Sequence, residues 1–169
     1  MITQPWVATM AAYNTEMNRR LYAAASRLTE AERRLDRGAF FGSIQGTLNH
    51  LLWGDTIWMS RFDGWAPPAI ALRDSPRLHD RFEALSKARQ DTDARIEAWA
   101  ARVTPAFLAG ETRYFSGALQ REIQRPNGLL VTHVFNHQTH HRGQVHAMLT
   151  AAGQSTGDTD LVAMPGLGA

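Results

Sequence analysis

Apolar residues recur at helical spacing in four long stretches of the chain. These stretches cover residues 5–28, 43–62, 76–102 and 127–152. In each of them apolar side chains return every three or four positions, which places them on one face of an amphipathic helix. The pattern therefore predicts an all-α protein in which four long helices pack as a four-helix bundle.

The second stretch is apolar around most of its circumference. Its polar strip is narrow and includes Gln45, Asn49 and Asp63. A helix with so little polar surface is buried on several sides. We therefore expect this helix at the centre of the protein.

Cap residues mark several helix ends. Thr29 and Glu32 predict a capping box after the first helix. Ser75 and Pro76 predict the beginning of the third helix, as its N-cap and its first helical residue. Gly153 predicts the end of the fourth helix, because glycine adopts the left-handed conformation that often follows a helix.

Helical spacing is lost between the third and fourth helices. Residues 112–115 and 119–123 predict a short hairpin or an extended excursion within a long irregular connection. The glycine-rich tail, residues 153–169, predicts irregular structure. Since no repeat or linker divides the chain, we expect a single domain over residues 1–169.

Composition narrows the range of partners. Apolar residues make up 44% and charged residues 20% of the 169 positions, as in ordinary globular proteins. The 18 basic residues nearly balance the 16 acidic ones, so nucleic-acid binding is not indicated.

The absence of cysteine excludes disulfides, thiolate metal ligands and a cysteine nucleophile. No apolar run is long enough for a membrane span and no secretory signal is recognisable, so we expect a soluble, cytoplasmic protein.

Five of the seven histidines lie in the fourth predicted helix. Two pairs there, His133/His137 and His137/His141, have the i, i+4 spacing that puts two imidazoles on one helix face, as a shared metal ion requires. On a helical wheel His137 and His141 lie within the apolar arc, whereas His133 and His140 lie at its edge. The pair His137/His141 is therefore the metal-ligand candidate, and a hydrogen-bonded core pair is the alternative.

The second predicted helix offers one further candidate ligand, His50. Gly46 and Gly54 flank it at four residues on either side. Small residues there would leave room for a metal ion and a substrate. The alternative is close helix packing at both glycines, with His50 as a hydrogen-bonded polar residue.

Together, the segments GTLNHLLWGDTIWMSRF and HVFNHQTHHRGQVHAML resemble the DinB/YfiT-like family, also called the damage-inducible DinB family. In that family a histidine of the second helix and an HxxxH pair of the last helix bind a divalent metal, and the matching positions here are His50, His137 and His141. The resemblance also implies an up-down-down-up bundle and frequent homodimers. It implies a link to metal-dependent thiol transferases that use low-molecular-weight thiols, and to metal-dependent hydrolases.

The motif argues against a zinc protease. Gln138 stands where the HExxH motif requires a glutamate as general base. Three neutral imidazoles would leave coordination positions open on a zinc or nickel ion, and such an ion acts as a Lewis acid or ionises a bound thiol or water. We therefore expect thiol transfer or hydrolysis on a small molecule, with no catalytic side chain assigned. The alternative is a non-catalytic metal-binding or small-ligand module of the stress response.

Several side chains near these motifs have two interpretations. Gln144 either orients a ligand imidazole through its amide or is an ordinary interface residue. Arg61 and Arg142 are expected at the surface, with contact to a substrate carboxylate as the alternative. Trp53 and Trp58 are expected in the core, with a role in lining a pocket as the alternative. Among the other histidines, His79 and His146 are expected to be exposed, and His133 and His140 to lie at the surface or behind the ligands.

Overall fold

A computed structural model describes residues 2–117 and 119–164 of the chain. The described part is mostly helical, as predicted, and carries one small antiparallel sheet. Two short 3-10 helices, Leu72–Arg77 and Leu161–Ala163, lie between and after the longer elements. The elements are α1 (Gln4–Ala25), α2 (Glu30–Arg34), α3 (Ile44–Asp63), α4 (Phe82–Arg102), α5 (Pro105–Ala109), β1 (Glu111–Ser116), β2 (Arg121–Pro126) and α6 (Asn127–Ala151).

The helix ends follow from local hydrogen bonds and glycine conformation. The Ser43 hydroxyl caps α3 by accepting a bond from the backbone N–H of Gly46 at 3.0 Å. The predicted capping box of Thr29 and Glu32 is present at the start of α2. Gly64, with φ 66°, ends α3 in the left-handed conformation that glycine adopts without strain. The predicted bounds of α3 and α6 are confirmed to within one residue.

The predicted beginning of the third long helix is wrong. α4 begins at Phe82, and Ser75 and Pro76 lie in the 3-10 helix before it. The cause is tertiary: the Asn49 amide of α3 donates to the carbonyl oxygens of Pro76 and His79 at 3.1 Å each and accepts the His79 backbone N–H at 2.9 Å. These bonds hold the segment against α3 and override its local helix signal. They also leave His79 half-buried, whereas the sequence analysis predicts an exposed side chain.

The connection before α6 is more ordered than predicted. It contains α5, which the Thr104 hydroxyl caps by accepting the Phe107 backbone N–H at 3.1 Å. A hairpin follows, as predicted, but its strands are longer than expected, pairing from Glu111 with Pro126 to Ser116 with Arg121.

The ends of the chain are simpler. α1 stops at Ala25, three residues before its predicted end at Leu28. The tail up to Met164 is irregular apart from one 3-10 turn, in agreement with the prediction, and residues 165–169 lie outside the described part. None of the described helices is long and apolar enough to cross a membrane.

The four long helices share one interior. α1 packs against α4 and α6, and α3 packs against the same two helices. Apolar side chains from all four fill the space between them and are almost fully buried. They form two large clusters, one that includes Leu21, Leu48, Leu85 and Leu149, and one that includes Val7, Met59, Trp99 and Phe135.

A buried ionic network crosses this interior. Arg89 of α4 contacts the carboxylates of Asp55 at 2.5 Å and Asp93 at 2.7 Å, and all three side chains are nearly inaccessible. Asn18 of α1 donates to Asp93 at 3.0 Å. Burial raises the pKa of Asp93 to about 6. The arginine is therefore the group that allows two carboxylates to lie in the core.

The predicted surface position of Arg142 is wrong. Its side chain is buried and donates to the side-chain oxygens of Asn14 and Thr139. The nearby charges of Asp55 and Asp93 favour its cationic form, although burial lowers its pKa to about 10. With Arg89, these groups make two positive and two negative buried charges, so the interior network is neutral overall.

Replacing Arg89 with methionine should strongly destabilise the protein. Arg89→Met leaves two buried carboxylates without their cation, and breaking such a pair costs about 3–5 kcal/mol in the free energy of unfolding. Urea denaturation measures the loss. Lys87→Met is the matched control, because Lys87 pairs with Asp91 on the exposed side of the same helix and such pairs contribute about 1 kcal/mol or less. Equal losses in the two variants would contradict this account of the interior.

Candidate metal centre

The three predicted ligands converge. His50 projects from α3, and His137 and His141 project from α6, one turn apart. The Nε2 atoms of His50 and His137 are 3.2 Å apart, and one ring nitrogen from each of the three residues lies within 4.8 Å of the others. With zinc–nitrogen bonds of about 2.05 Å, the nitrogens of a tetrahedral site are about 3.3 Å apart. The three imidazoles are thus close enough to hold one ion.

Hydrogen bonds on the far side of two rings set their orientation. His50 Nδ1 lies 2.9 Å from the Ser75 hydroxyl, and His141 Nδ1 donates to the Gln144 side-chain oxygen at 2.8 Å. Such bonds at Nδ1 direct Nε2 toward a metal and fix the tautomer. Gln144 therefore orients a candidate ligand, and its amide nitrogen in turn faces the exposed His140 at 3.3 Å.

Phe41 covers one side of the three imidazoles. Its ring stacks on His50, with ring centres 3.7 Å apart and planes 21° apart, and its centre lies 5.3 Å from that of His141. Phe41 belongs to the loop before α3, where no periodicity signals a contact. Sequence reasoning missed it for this reason.

Burial keeps the imidazoles neutral. It lowers the pKa of His50 to about 3, with the neighbouring His137 and His141 adding to the effect. It lowers the pKa of His137 to about 4, and that of His141 shifts in the same direction. Neutral imidazole is the form that binds metal, so no proton has to be displaced from these rings at pH 7.

The two glycines of α3 have different roles. A Cβ at Gly54 would lie 3.0 Å from Cε1 of His137, so this glycine makes room for a ligand ring rather than for a substrate. A Cβ at Gly46 would clash with the backbone oxygen of Phe41. Gly46 therefore allows close packing against the loop before α3, rather than the helix–helix packing considered from the sequence.

Asp55 is a functional candidate that sequence reasoning missed. Its carboxylate accepts a bond from the Gln138 amide at 2.6 Å and contacts Arg89 at 2.5 Å. Gln138 is the residue after His137, so this carboxylate ties the ligand-bearing turn of α6 to α3 and α4. The sequence does contain a signal for Asp55, because an acidic residue stands out in the most apolar predicted helix, five positions after His50.

A groove of about 1060 Å³ opens beside His50 and His137. Trp53 and Trp58 line it, so their alternative role as pocket residues is the observed one. Arg61 also lines the groove and is half-buried, rather than at the surface as predicted.

The other histidines do not join the group of three convergent ring nitrogens, although the ring centre of His140 lies 4.8 Å from that of His141. His133 lies on the groove wall with its ring centre 5.3 Å from that of Trp58, and it is exposed. His146 is half-buried, contrary to the prediction, because its Nδ1 lies 2.7 Å from the hydroxyl of Thr156 in the tail.

These features define a class: a mainly helical protein in which imidazoles from two helices meet beside an open groove. The family model described as "DinB family" matches residues 1–166, and the chain belongs to this family. The chain is similar to Protein DinB of Bacillus subtilis (strain 168), with 27% identity over 164 residues that cover 88% of this chain and 87% of that protein. No solved structure is significantly similar to the chain.

Gly54→Ala should weaken metal binding by about tenfold, because the added methyl group displaces the His137 ring and misplaced ligands lose affinity on this scale. Zinc titration against a competing chelator measures the affinity. Gly143→Ala is the matched control, since its Cβ on α6 would meet nothing within 4 Å. We expect the control to bind zinc as the wild type does, and equal affinity in all three proteins would show that Gly54 does not seat the ring.

The metal-free protein should lose stability as the pH falls from 7 to 5. The folded-state pKa of His50 is about 3, against an ordinary value of 6.5. The unfolded chain therefore takes up a proton in this range that the folded chain does not, which favours unfolding by about 2 kcal/mol at pH 5.

Urea denaturation at both pH values, with His50→Gln beside the wild type, isolates this contribution. The variant should lose about 2 kcal/mol less than the wild type. His140→Gln, which replaces an exposed imidazole of α6, should behave as the wild type does. An identical pH dependence in wild type and His50→Gln would contradict the neutral, buried state of His50.

Proposed function

We propose that this DinB-family protein binds one divalent metal ion, zinc or nickel, through His50, His137 and His141, and uses it to act on a small molecule. The observation that carries the proposal is the convergence of three neutral imidazoles from α3 and α6 beside an open groove. Three protein ligands with room for a fourth group is the arrangement of catalytic rather than structural zinc sites.

Thiol transfer is the reaction that the groove favours. A metal ion bound by three imidazoles would lower the pKa of a coordinated thiol or water. None of the described residues that line the groove is acidic, so a general base for hydrolysis would have to be a histidine such as His133. Since the chain has no cysteine, the thiol would be a low-molecular-weight substrate.

The chain's own residues would prepare this site. Ser75 and Gln144 hold the rings of His50 and His141 in place, and Phe41 covers one side of the cluster. Apolar cover excludes water and strengthens electrostatic interactions within the site. The groove, which Phe41 also lines, would admit the substrate.

The same absence of an acidic groove residue favours a second candidate, a non-catalytic metal or small-ligand binding module. A site of this kind needs only the three ligands and the groove. Metal binding with no reaction toward thiols would support it over the enzyme.

We also infer an up-down-down-up order for the four long helices. Gln4, at the start of α1, donates to the carbonyl oxygen of Ala100 near the end of α4, which supports an antiparallel pair. The early residue Trp6 of α1 contacts Phe135 in the first half of α6, which supports a parallel pair. The homodimer implied by the family resemblance stays a prediction.

The test is metal stoichiometry in the purified, chelator-treated and reloaded protein. We expect about one equivalent of zinc or nickel in the wild type, with His50→Gln and His141→Gln each losing at least tenfold in affinity. His146→Gln, on the same helix but outside the cluster, is the control and should bind as the wild type does. Equal metal content in all four proteins would refute the ligand assignment.

Cobalt(II) then distinguishes an open site from a closed one. Adding 2-mercaptoethanol to the cobalt-loaded wild type should produce a thiolate-to-cobalt charge-transfer band, because a three-histidine site leaves a position for the sulfur. A loaded site that gives no such band would favour the non-catalytic module.

A further inference from the structure

Arg61 is held in an unusual setting on the groove wall. Its guanidinium carbon lies 4.4 Å from the centre of the Trp58 ring and 4.1 Å from that of the Tyr114 ring. The two rings meet edge to face, at 72°, and form a corner around the cation. Cation–π contacts of this kind fix a guanidinium while leaving its outward N–H groups available for hydrogen bonds.

No described residue of the groove lining carries a negative charge that could neutralise this cation. Among its described lining residues, Arg61 and Arg73 are charged and both are positive. Arg73 contacts Asp74 at 3.4 Å and is largely exposed to solvent. Arg61 is half-buried, and burial lowers its pKa, so the cation is partly desolvated. A desolvated guanidinium without a carboxylate favours the binding of an anion.

The backbone of Arg61 lies far along the groove from that of His50. His50, Gly54, Trp58 and Arg61 follow one another on the same face of α3 and all line the groove. The eleven residues from His50 to Arg61 correspond to a rise of about 16 Å along the helix. The wall between them is mainly aromatic and aliphatic, with Trp53, Ile57 and Trp58.

We propose that Arg61 binds the carboxylate of an elongated substrate whose apolar body lies along the groove and whose reacting end reaches the three histidines. The inference that the other end of the substrate reacts at the histidines rests on the proposed function. Carboxylate binding by Arg61 does not depend on a metal ion. A planar carboxylate matches the paired N–H groups of a guanidinium, which makes it the anion best suited to this corner.

The test uses metal-free protein and two probes of equal length, octanoate and octanamide, in isothermal titration calorimetry. We expect the wild type to bind octanoate about tenfold more tightly than octanamide, because only the carboxylate makes a charge-assisted pair. Arg61→Met, which keeps the apolar stem and removes the charge, should bind both probes with the affinity that the wild type has for octanamide. Arg61→Lys should retain part of the preference, since it keeps the charge without the planar fork.

Arg113→Met is the matched control, because Arg113 is an exposed arginine of the same hairpin as Tyr114. It should keep the full preference for octanoate. Equal binding of octanoate and octanamide by the wild type, or an unchanged preference in Arg61→Met, would overturn the proposal. Either result would leave the metal assignment untouched, because no metal is present in the titration.

Discussion

The carboxylate of Asp55 joins three helices at one point. It contacts Arg89 of α4 and accepts a hydrogen bond from Gln138 of α6, while its own backbone lies in α3. A shift of α6 by one residue would rotate its side chains by about 100° and break this bond. The same shift would turn His137 and His141 away from His50. The geometry of the three-histidine cluster therefore depends on a contact that includes none of the three histidines.

Buried charges are a poor source of stability, and this network is better understood as a source of structural specificity. Apolar side chains of similar size often replace a buried ion pair without loss. What apolar packing lacks is direction, because Leu and Val contacts tolerate small changes of register, whereas Asp55 has to meet both Arg89 and Gln138. Within this network Arg89 and Arg142 balance Asp55 and Asp93, so it fixes the register without a net charge of its own.

Sequence patterns predicted the parts of the site that lie on regular helices. The apolar arc identified His137 and His141 because an α-helix repeats its geometry. His50 was supported mainly by family resemblance, since it lies off the centre of its apolar arc. The contacts of Phe41 and Ser75 with His50 were not predicted, because Phe41 lies in a loop and Ser75 in a 3-10 helix. Tertiary hydrogen bonds from Asn49 position this 3-10 helix. The same limit explains why α4 begins six residues later than its cap signals suggest.

Trp58 connects the two ends of the groove. Its ring contacts the Arg61 guanidinium and the ring of His133. The centre of the His133 ring in turn lies 6.0 Å from that of His137. Trp58, with His133 beside it, thus lies between the cation and the candidate metal-binding end. Desolvation acts in the same direction at both ends, since it keeps the imidazoles neutral for metal binding and strengthens the attraction of Arg61 for an anion. An apolar wall between them would then select for length, because a ligand too short to reach both ends would lose one of the two interactions.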